Sequence, residues 1–251
     1  MVVAPSASQS PAWHAASSAV LGELAPEKAL QLAFYRDLIL TWNQKFNLTG
    51  LRTGEAVDSR LILESIRFLE CIRGRIEQPL DGLSLIDIGS GAGIPGIPIS
   101  ILDPGVEVLM VEATGKKARF IQEVIAQLDL PNARVEHGRA EELARSSEHR
   151  EAFDIAAARA VGPLSTLLEL SLPFLKLGGK GFFPKGVLDT MEVSQAKAGS
   201  VELGANVAAI LALPEIAGCP FTQVVVADKI EHIQARYPRR AGIPAREPLK
   251  G

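Results

Sequence analysis

Hydrophobic and polar residues alternate with two different periods along this chain. Between residues 26 and 80, apolar residues recur every three or four positions, a period that predicts helices. Between residues 81 and 235, short apolar runs alternate with amphipathic stretches, which predicts strands connected by helices. This order favours an α/β fold, in which a mostly parallel sheet carries helices on both faces and follows an N-terminal helical extension.

The first 80 residues divide into a tail and the helical extension. Residues 1–25 are rich in Ala, Ser and Pro and carry few charges, which predicts a disordered tail. A helix is expected from Pro26, because proline is tolerated in the first turn. A second helical segment with several surface arginines is expected over residues 52–75. The apolar stripe expected on the first helix consists of Leu30, Phe34, Leu38 and Trp42, with Ile39 beside them.

Seven strand-like runs lie in the predicted domain of residues 81–235. The parallel strands are expected over residues 83–88, 106–112, 133–137, 153–158 and 180–186. Residues 207–213 and 221–226 are expected to form an antiparallel hairpin that closes the sheet. Residues 236–251 form a basic C-terminal tail, which would suit a phosphate backbone but is also typical of a solubilising tail.

The first predicted strand runs into a loop with glycines at positions 89, 91, 93 and 96. Glycine allows a sharp turn and a close approach of the backbone to a ligand. Ile94 and Pro95 then begin a helix, whose N-terminus favours anionic or polar ligand groups. Strand, loop and helix together predict a nucleotide-type site at the carboxyl edge of the sheet.

Two kinds of nucleotide remain open from this motif. Residues 91–96 satisfy G-x-G-x-x-G and Glu112 lies 21 residues after Gly91, a spacing compatible with a dinucleotide. Asp87, at the end of the strand, instead suits the ammonium group of S-adenosylmethionine. The spacing of Gly89, Gly91 and Gly93 also resembles the first motif of class I methyltransferases. A tight turn without a ligand is disfavoured, because one turn rarely needs four glycines and a strand-end acid.

Three charged residues after later strands are candidates for the same site. Glu112 ends the second strand, where a carboxylate can accept both hydroxyls of a ribose. Glu141 follows the third strand, either beside an adenine or as a cap of the next helix. Arg159 follows the fourth strand, where an arginine binds a phosphate or a nucleobase, or pairs with a nearby acid.

Composition narrows the class of protein further. The chain has 251 residues, 47% of them hydrophobic, which allows one large domain or a domain with an appendage. Apolar runs stay far below the roughly 20 residues of a membrane span. Two cysteines, Cys71 and Cys219, are too few for a disulfide framework or a zinc cluster, so no metal and a cytoplasmic location are expected. The net charge of −3 requires that any nucleic-acid contact come from local basic patches.

Several separated motifs resemble one family, the small-subunit (16S) ribosomal RNA guanine-N7 methyltransferases of the glucose-inhibited-division-B type. The resemblance covers about residues 30 to 250, and its specificity lies in the order of the motifs rather than in any one of them. The matching stretches are residues 42–49, 87–96, 111–112 with 116–117, 139–142, 153–154 with 158–160, 185–186 and 237–240, with Pro248 and Leu249.

The resemblance implies a class I methyltransferase that moves a methyl group from S-adenosylmethionine to N7 of a guanine in small-subunit ribosomal RNA. It implies action on that RNA or on the ribosomal subunit. A monomer is expected separately, because the sequence shows no obvious exposed apolar seam. Arg159 would lie between cofactor and substrate and orient the guanine, and no general base is needed because N7 carries no proton. The cofactor-binding residues implied are Asp87, Gly89, Gly91, Ile94, Glu112, Ala113, Thr114, Ala140, Glu141 and Arg159. The RNA-contact residues implied are Lys45, Asn47, Lys185, Arg239 and Arg240.

One motif departs from the family pattern. Members usually carry Arg-His-x-x-Asp-Ser after the N-terminal helix, whereas this chain has leucine at position 61 and glutamate at position 64. Any role of that histidine toward the substrate is therefore absent here. Two other functions remain as alternatives, an NAD-dependent oxidoreductase and a non-catalytic RNA-binding module with a vestigial cofactor pocket.

Overall fold

The computed structural model describes residues 24–159, 162–213 and 223–250. Most of the tail predicted over residues 1–25 lies outside these ranges, as do Cys219 and the first two residues of the last predicted strand. Within them the predicted α/β class is confirmed, with one seven-stranded sheet flanked by helices.

The sheet has the strand order β3-β2-β1-β4-β5-β7-β6, and only β7 runs antiparallel to its neighbours. Long apolar runs such as β1 and β2 are buried on both faces, as expected for the centre of a parallel sheet. The strands are β1 Ser84–Ile88, β2 Glu107–Glu112, β3 Ala133–His137, β4 Phe153–Ala158, β5 Leu175–Lys185, β6 Ala205–Ala212 and β7 Gln223–Lys229.

The strand register brings the carboxyl ends of four strands, β1 to β4, to one edge of the sheet. Ile88 at the end of β1 pairs with Val111 of β2 and with Ala158 of β4. Glu112 in turn pairs with His137 at the end of β3. Residues that follow these strands therefore converge at the same edge of the sheet, although they are far apart in the chain.

Helices cover both faces of the sheet because successive side chains of a strand point to opposite sides. Leu85 and Met110 face one core with α1, α3, α4 and α5, whereas Ile86 and Leu109 face the other with α6, α7 and α8. A π-helical segment Asp58–Leu63 precedes α3, and a 3-10 turn Leu172–Phe174 follows α7. The helices are α1 Pro26–Asn43, α2 Gly54–Val57, α3 Glu64–Arg75, α4 Gly96–Leu102, α5 Gly115–Leu128, α6 Ala140–Leu143, α7 Leu164–Ser171, α8 Thr190–Glu202 and α9 Ile243–Arg246.

The buried face of α1 differs from the predicted stripe. The fully buried residues are Leu32, Tyr35 and Ile39, whereas Leu30 is 58% exposed. A strict four-residue spacing advances about 40° around a helix at each step, so a line drawn that way drifts off the contact face. Alternating steps of three and four residues keep the contact with α4 and α5 in line.

Two later elements also differ in extent from the predictions. Strand β5 begins at Leu175, five residues earlier than predicted, and continues through Gly178 and Gly179 with a register shift against β4. The predicted basic tail packs on the domain. Tyr237 is 3% exposed, and the short helix α9 lies against α7.

Candidate functional site

The glycine loop makes a compact turn between β1 and α4. Gly89, Gly91 and Gly93 all have positive φ angles, of 70°, 60° and 86°. A Cβ atom at Gly93 would lie 2.6 Å from Cγ1 of Ile97, and one at Gly96 would lie 2.6 Å from Cγ of Met110. Glycine at these two positions therefore lets α4 approach its own loop and the neighbouring strand.

Glu112 joins the glycine loop to the end of β2. Glu112 is 6% exposed, and its Oε2 accepts a hydrogen bond of 2.8 Å from the backbone N–H of Gly91. Its Oε1 accepts one of 2.7 Å from the N–H of Thr114. Each carboxylate oxygen has a second acceptor position, which is the arrangement that two adjacent ligand hydroxyls require.

Asp87 lies beneath the loop rather than on an open surface. Its side chain is fully buried, and Oδ2 accepts a hydrogen bond of 3.1 Å from the N–H of Gly96. Oδ1 is buried and makes no hydrogen bond to any described residue. Burial raises the pKa of this carboxyl to about 7, although hydrogen bonds from Gly96 and Ser90 and the charge of Arg159 act in the opposite direction.

A cleft of about 200 Å³, which we call the Glu141 cleft, opens at the carboxyl ends of β1, β2 and β3. Four residues predicted to bind the cofactor line this cleft: Gly89, Ala113, Ala140 and Glu141. Glu141 is 6% exposed, and its Oε1 accepts a hydrogen bond of 2.8 Å from the N–H of Gly242. The carboxylate therefore reaches the C-terminal segment and does not cap its own helix. The other lining residues are Ile88, Val111, Gly138, Arg139, Thr166, Leu170 and Ala245.

A second cleft, of about 220 Å³, lies on the other side of the glycine loop, and we call it the Arg159 cleft. Gly89 lines both clefts, so they are neighbouring parts of one site. Leu61, which stands where the family has histidine, forms part of its wall. The remaining lining residues are Leu48, Thr49, Ser90, Gly91, Ala92, Ile94, Lys117 and Arg159.

Arg159 is positioned by the segment that precedes the sheet. Its Nη2 donates to Oε2 of Glu64 at 2.6 Å and to the backbone carbonyl of Arg60 at 2.7 Å. Glu64 is 5% exposed, and the side chain of Arg159 is 15% exposed. Burial lowers the pKa of Arg159, while the charges of Glu64 and Asp87 act against that shift. The guanidinium remains a fixed positive charge at the edge of the cleft.

Two residues, Tyr35 and Glu64, position the site in a way that the sequence did not predict. The hydroxyl of Tyr35, on α1, donates to the carbonyl of Ala92 in the glycine loop at 2.5 Å. Burial, together with the charge of Asp87, raises the pKa of Tyr35. The signal in the sequence is a tyrosine within an apolar helix face, whose hydroxyl needs a partner when buried. In the sequence, Glu64 stands out only as a departure from the family pattern, whereas in the structure it accepts a hydrogen bond from Arg159.

The residues predicted to contact RNA differ in whether their polar groups already bind other residues of this protein. Asn47 accepts a hydrogen bond of 2.6 Å from Nη2 of Arg52. Lys185 lies 2.7 Å from Glu192. Arg240 is exposed, and Lys45 is exposed with its ammonium 5.5 Å above the ring of Trp42. Arg239 binds the buried Glu169 through two nitrogens of its guanidinium group. All five remain predictions as RNA contacts.

Among the described residues, no helix combines the length and the hydropathy needed to cross a membrane.

Two curated relatives match almost the whole chain. The ribosomal RNA small subunit methyltransferase G of Roseiflexus castenholzii is 40% identical over 219 residues, covering 87% of this chain and 91% of that protein. The protein of the same name from Chloroflexus aggregans is 38% identical over 226 residues, covering 90% and 92%.

Solved structures confirm the predicted class I methyltransferase fold. A geranyl diphosphate C-methyltransferase from Streptomyces coelicolor, crystallised with S-adenosyl-L-homocysteine, superposes with a TM-score of 0.50 at 16% identity, covering 67% of this chain and 80% of that chain. The CurJ carbon methyltransferase gives a TM-score of 0.51 at 16% identity, covering 86% and 64%. Residues 28–215 match the family model described as rRNA small subunit methyltransferase G. With these matches, the chain belongs to the rRNA small subunit methyltransferase G family.

Proposed function

We propose that this protein transfers the methyl group of S-adenosylmethionine to N7 of a guanine in small-subunit ribosomal RNA. Family membership supports the general activity, which is methylation of this RNA with S-adenosylmethionine as cofactor. The choice of N7 is supported by the lining of the Arg159 cleft. Its described residues include no carboxylate, imidazole or thiol. Such a site suits a nucleophile that carries no proton and needs no general base.

The described residues fit S-adenosylmethionine. Glu112 would hold the ribose, because both of its oxygens lie at the end of β2 with one acceptor position each engaged by a backbone N–H. Ala113, Thr114, Ala140 and Glu141 would border the adenine. Gly89, Gly91 and Ile94 would line the path toward methionine, where the buried Oδ1 of Asp87 is an acceptor that an ammonium group would complete.

When bound, S-adenosylmethionine supplies a methyl group attached to a positively charged sulfur. The task of the protein would then be to align N7 of the guanine with that methyl group and to exclude water from the cleft. Arg159 would donate hydrogen bonds to O6 of the guanine or to a phosphate. Lys45, Asn47, Lys185 and Arg240 would contact the RNA around the cleft.

Neither alternative function is favoured. A dinucleotide-binding sheet has the parallel order 3-2-1-4-5-6, whereas here the antiparallel β7 lies between β5 and β6. A binding module without catalysis does not need Glu112 and Arg159 held by specific partners at 2.6–2.8 Å.

The decisive experiment is methyl transfer to small subunits and to naked small-subunit RNA from cells that lack this gene, followed by mass mapping of the RNA. We expect one new 7-methylguanosine. A methyl group at another atom would contradict the choice of N7. Calorimetry with S-adenosylhomocysteine and with NAD tests the cofactor separately, and binding of NAD alone would overturn it. A ribosomal substrate further implies a cytoplasmic protein, and we propose that it acts as a monomer.

A further inference from the structure

The C-terminal segment of residues 236–250, which we call the strap, is held on the domain by many hydrogen bonds. Arg150 donates to the carbonyl of Tyr237 at 2.9 Å, and it also holds the residues just before the strap through the carbonyls of Ile233 and Gln234 at 3.1 Å. The hydroxyl of Thr166, on α7, donates to the carbonyl of Pro244 at 2.9 Å. These bonds use backbone groups of the strap, so they specify its path rather than its side chains.

A buried ion pair between Arg239 and Glu169 also anchors the strap. Glu169 on α7 has no exposed side-chain surface. Its carboxylate accepts from the backbone N–H of Arg239 at 2.9 Å, from Nε at 2.9 Å and from Nη2 at 2.6 Å. Among the residues that the structure describes, Arg239 is the cation paired with Glu169, and a buried carboxylate that loses such a partner is strongly unfavourable. Arg239 must therefore stay docked for this region to keep its arrangement.

The strap also borders the Glu141 cleft. Ala245 lines that cleft opposite the ends of β1, β2 and β3, together with Thr166 and Leu170 of α7. Gly242, three residues earlier, donates its N–H to Glu141, which is itself a lining residue. The strap therefore contributes Ala245 to the cleft lining directly. Through Gly242 it also positions Glu141, an acidic lining residue from a different element.

We propose that the strap is the outer wall of the pocket for the adenosine half of the cofactor, and that Arg239 is a positioning residue that anchors this wall. It rests on the proposed function, because that assigns the cleft to S-adenosylmethionine. The proposal gives Arg239 an internal role that is distinct from the RNA contact predicted from the basic tail. Docking of the strap and binding of the cofactor then strengthen each other by the same factor.

Calorimetry with S-adenosylhomocysteine on the purified full chain tests this role. We expect Arg239→Gln to weaken binding about 10-fold or more, within the usual range of such couplings. Arg239→Lys keeps a charge opposite Glu169 and should recover part of the loss. Arg246→Gln is the matched control, because it removes an exposed charge from the same strap and should bind as the wild type does. Equal affinity of Arg239→Gln and the wild type would overturn the proposal.

Hydrogen exchange on the wild-type protein provides a second test that does not depend on a variant that folds. Saturating S-adenosylhomocysteine should slow exchange in residues 239–247, including the N–H of Gly242, by a factor similar to the calorimetric one. The glycine loop, residues 89–93, serves as the internal reference. Protection of the loop with unchanged exchange in the strap would refute the role of the strap. Unchanged exchange in both would instead contradict the proposed location of the cofactor.

Discussion

Arg159 shows how a residue at the site obtains its position from outside the sheet. The residue follows β4, but its guanidinium binds Glu64 and the carbonyl of Arg60, 95 and 99 residues earlier in the chain. Oε2 of Glu64 lies 2.6 Å from Nη2 of Arg159. Although the family usually has aspartate at this position, the glutamate still provides an acid that pairs with Arg159. Leu61 meanwhile contributes an apolar surface to the same cleft.

Replacing Arg159 should separate cofactor binding from catalysis. We expect Arg159→Ala to lower kcat for small-subunit RNA about 100-fold, because a hydrogen bond from a charged donor contributes about 1.5–3 kcal/mol. Binding of S-adenosylhomocysteine should survive in part. Glu64→Gln, which keeps the shape but removes the charge, should reduce kcat less. Turnover of Arg159→Ala at the wild-type rate would contradict the orienting role.

The buried carboxyl of Asp87 predicts a particular pH dependence of stability. Because its pKa in the folded protein is raised to about 7, the folded state holds this proton from about pH 4 to about pH 7, where the unfolded chain has lost it. The contribution of Asp87 to the free energy of unfolding therefore falls as the pH rises through that window and is constant above it.

The Asp87→Asn variant lacks this contribution. The free energy of unfolding of the variant, relative to that of the wild type, should therefore rise by a few kcal/mol between pH 4 and pH 7. Urea unfolding of both proteins across this range measures the difference. Two curves that stay parallel would show that Asp87 is not held protonated.

At the scale of elements, the glycine loop depends on the close approach of α4 to β2. We expect Gly96→Ala to lower the free energy of unfolding by about 1–3 kcal/mol, as overpacking does, since the new Cβ would lie 2.6 Å and 2.7 Å from Cγ and Sδ of Met110. Gly74→Ala is the control, because no atom lies within 4 Å of its new Cβ on helix α3. That change should be neutral or stabilising by about 0.5–1 kcal/mol. Thermal unfolding compares the two, and equal effects would contradict the packing argument.

At the scale of the whole molecule, the weak net charge limits how RNA can bind. A chain of net charge −3 lacks a general attraction for RNA, so contacts must come from a few local cations such as Lys45 and Arg240. If about three phosphates are neutralised, the logarithm of the RNA affinity should fall with the logarithm of salt concentration with a slope of about −2. Affinity for S-adenosylhomocysteine should change little.

Lys45→Ala tests one of these contacts. The variant should reduce the magnitude of the slope by about 0.7, the share of one phosphate in single-stranded RNA. Filter binding of a small-subunit RNA fragment at several salt concentrations gives the slope. A wild-type slope in this variant would remove Lys45 from the interface.

The local pattern of the sequence determined the order of strands and helices, the glycine loop and the acids that end β1 and β2. These features depend on residues within one turn or one strand, because burial of apolar runs and the backbone freedom of glycine act over short distances. The first and last residues of an element are predicted less accurately, as the early start of β5 at Leu175 shows.

Only the tertiary structure decided which side chains hold the site together. Tyr35 reaches the loop across 57 positions, Glu64 reaches Arg159 across 95, and Arg239 reaches Glu169 across 70. No local pattern encodes such pairs, since the residues near either partner in the chain do not indicate which distant residue it will contact. They meet because a parallel sheet brings distant strand ends, and the segments before and after them, to one edge.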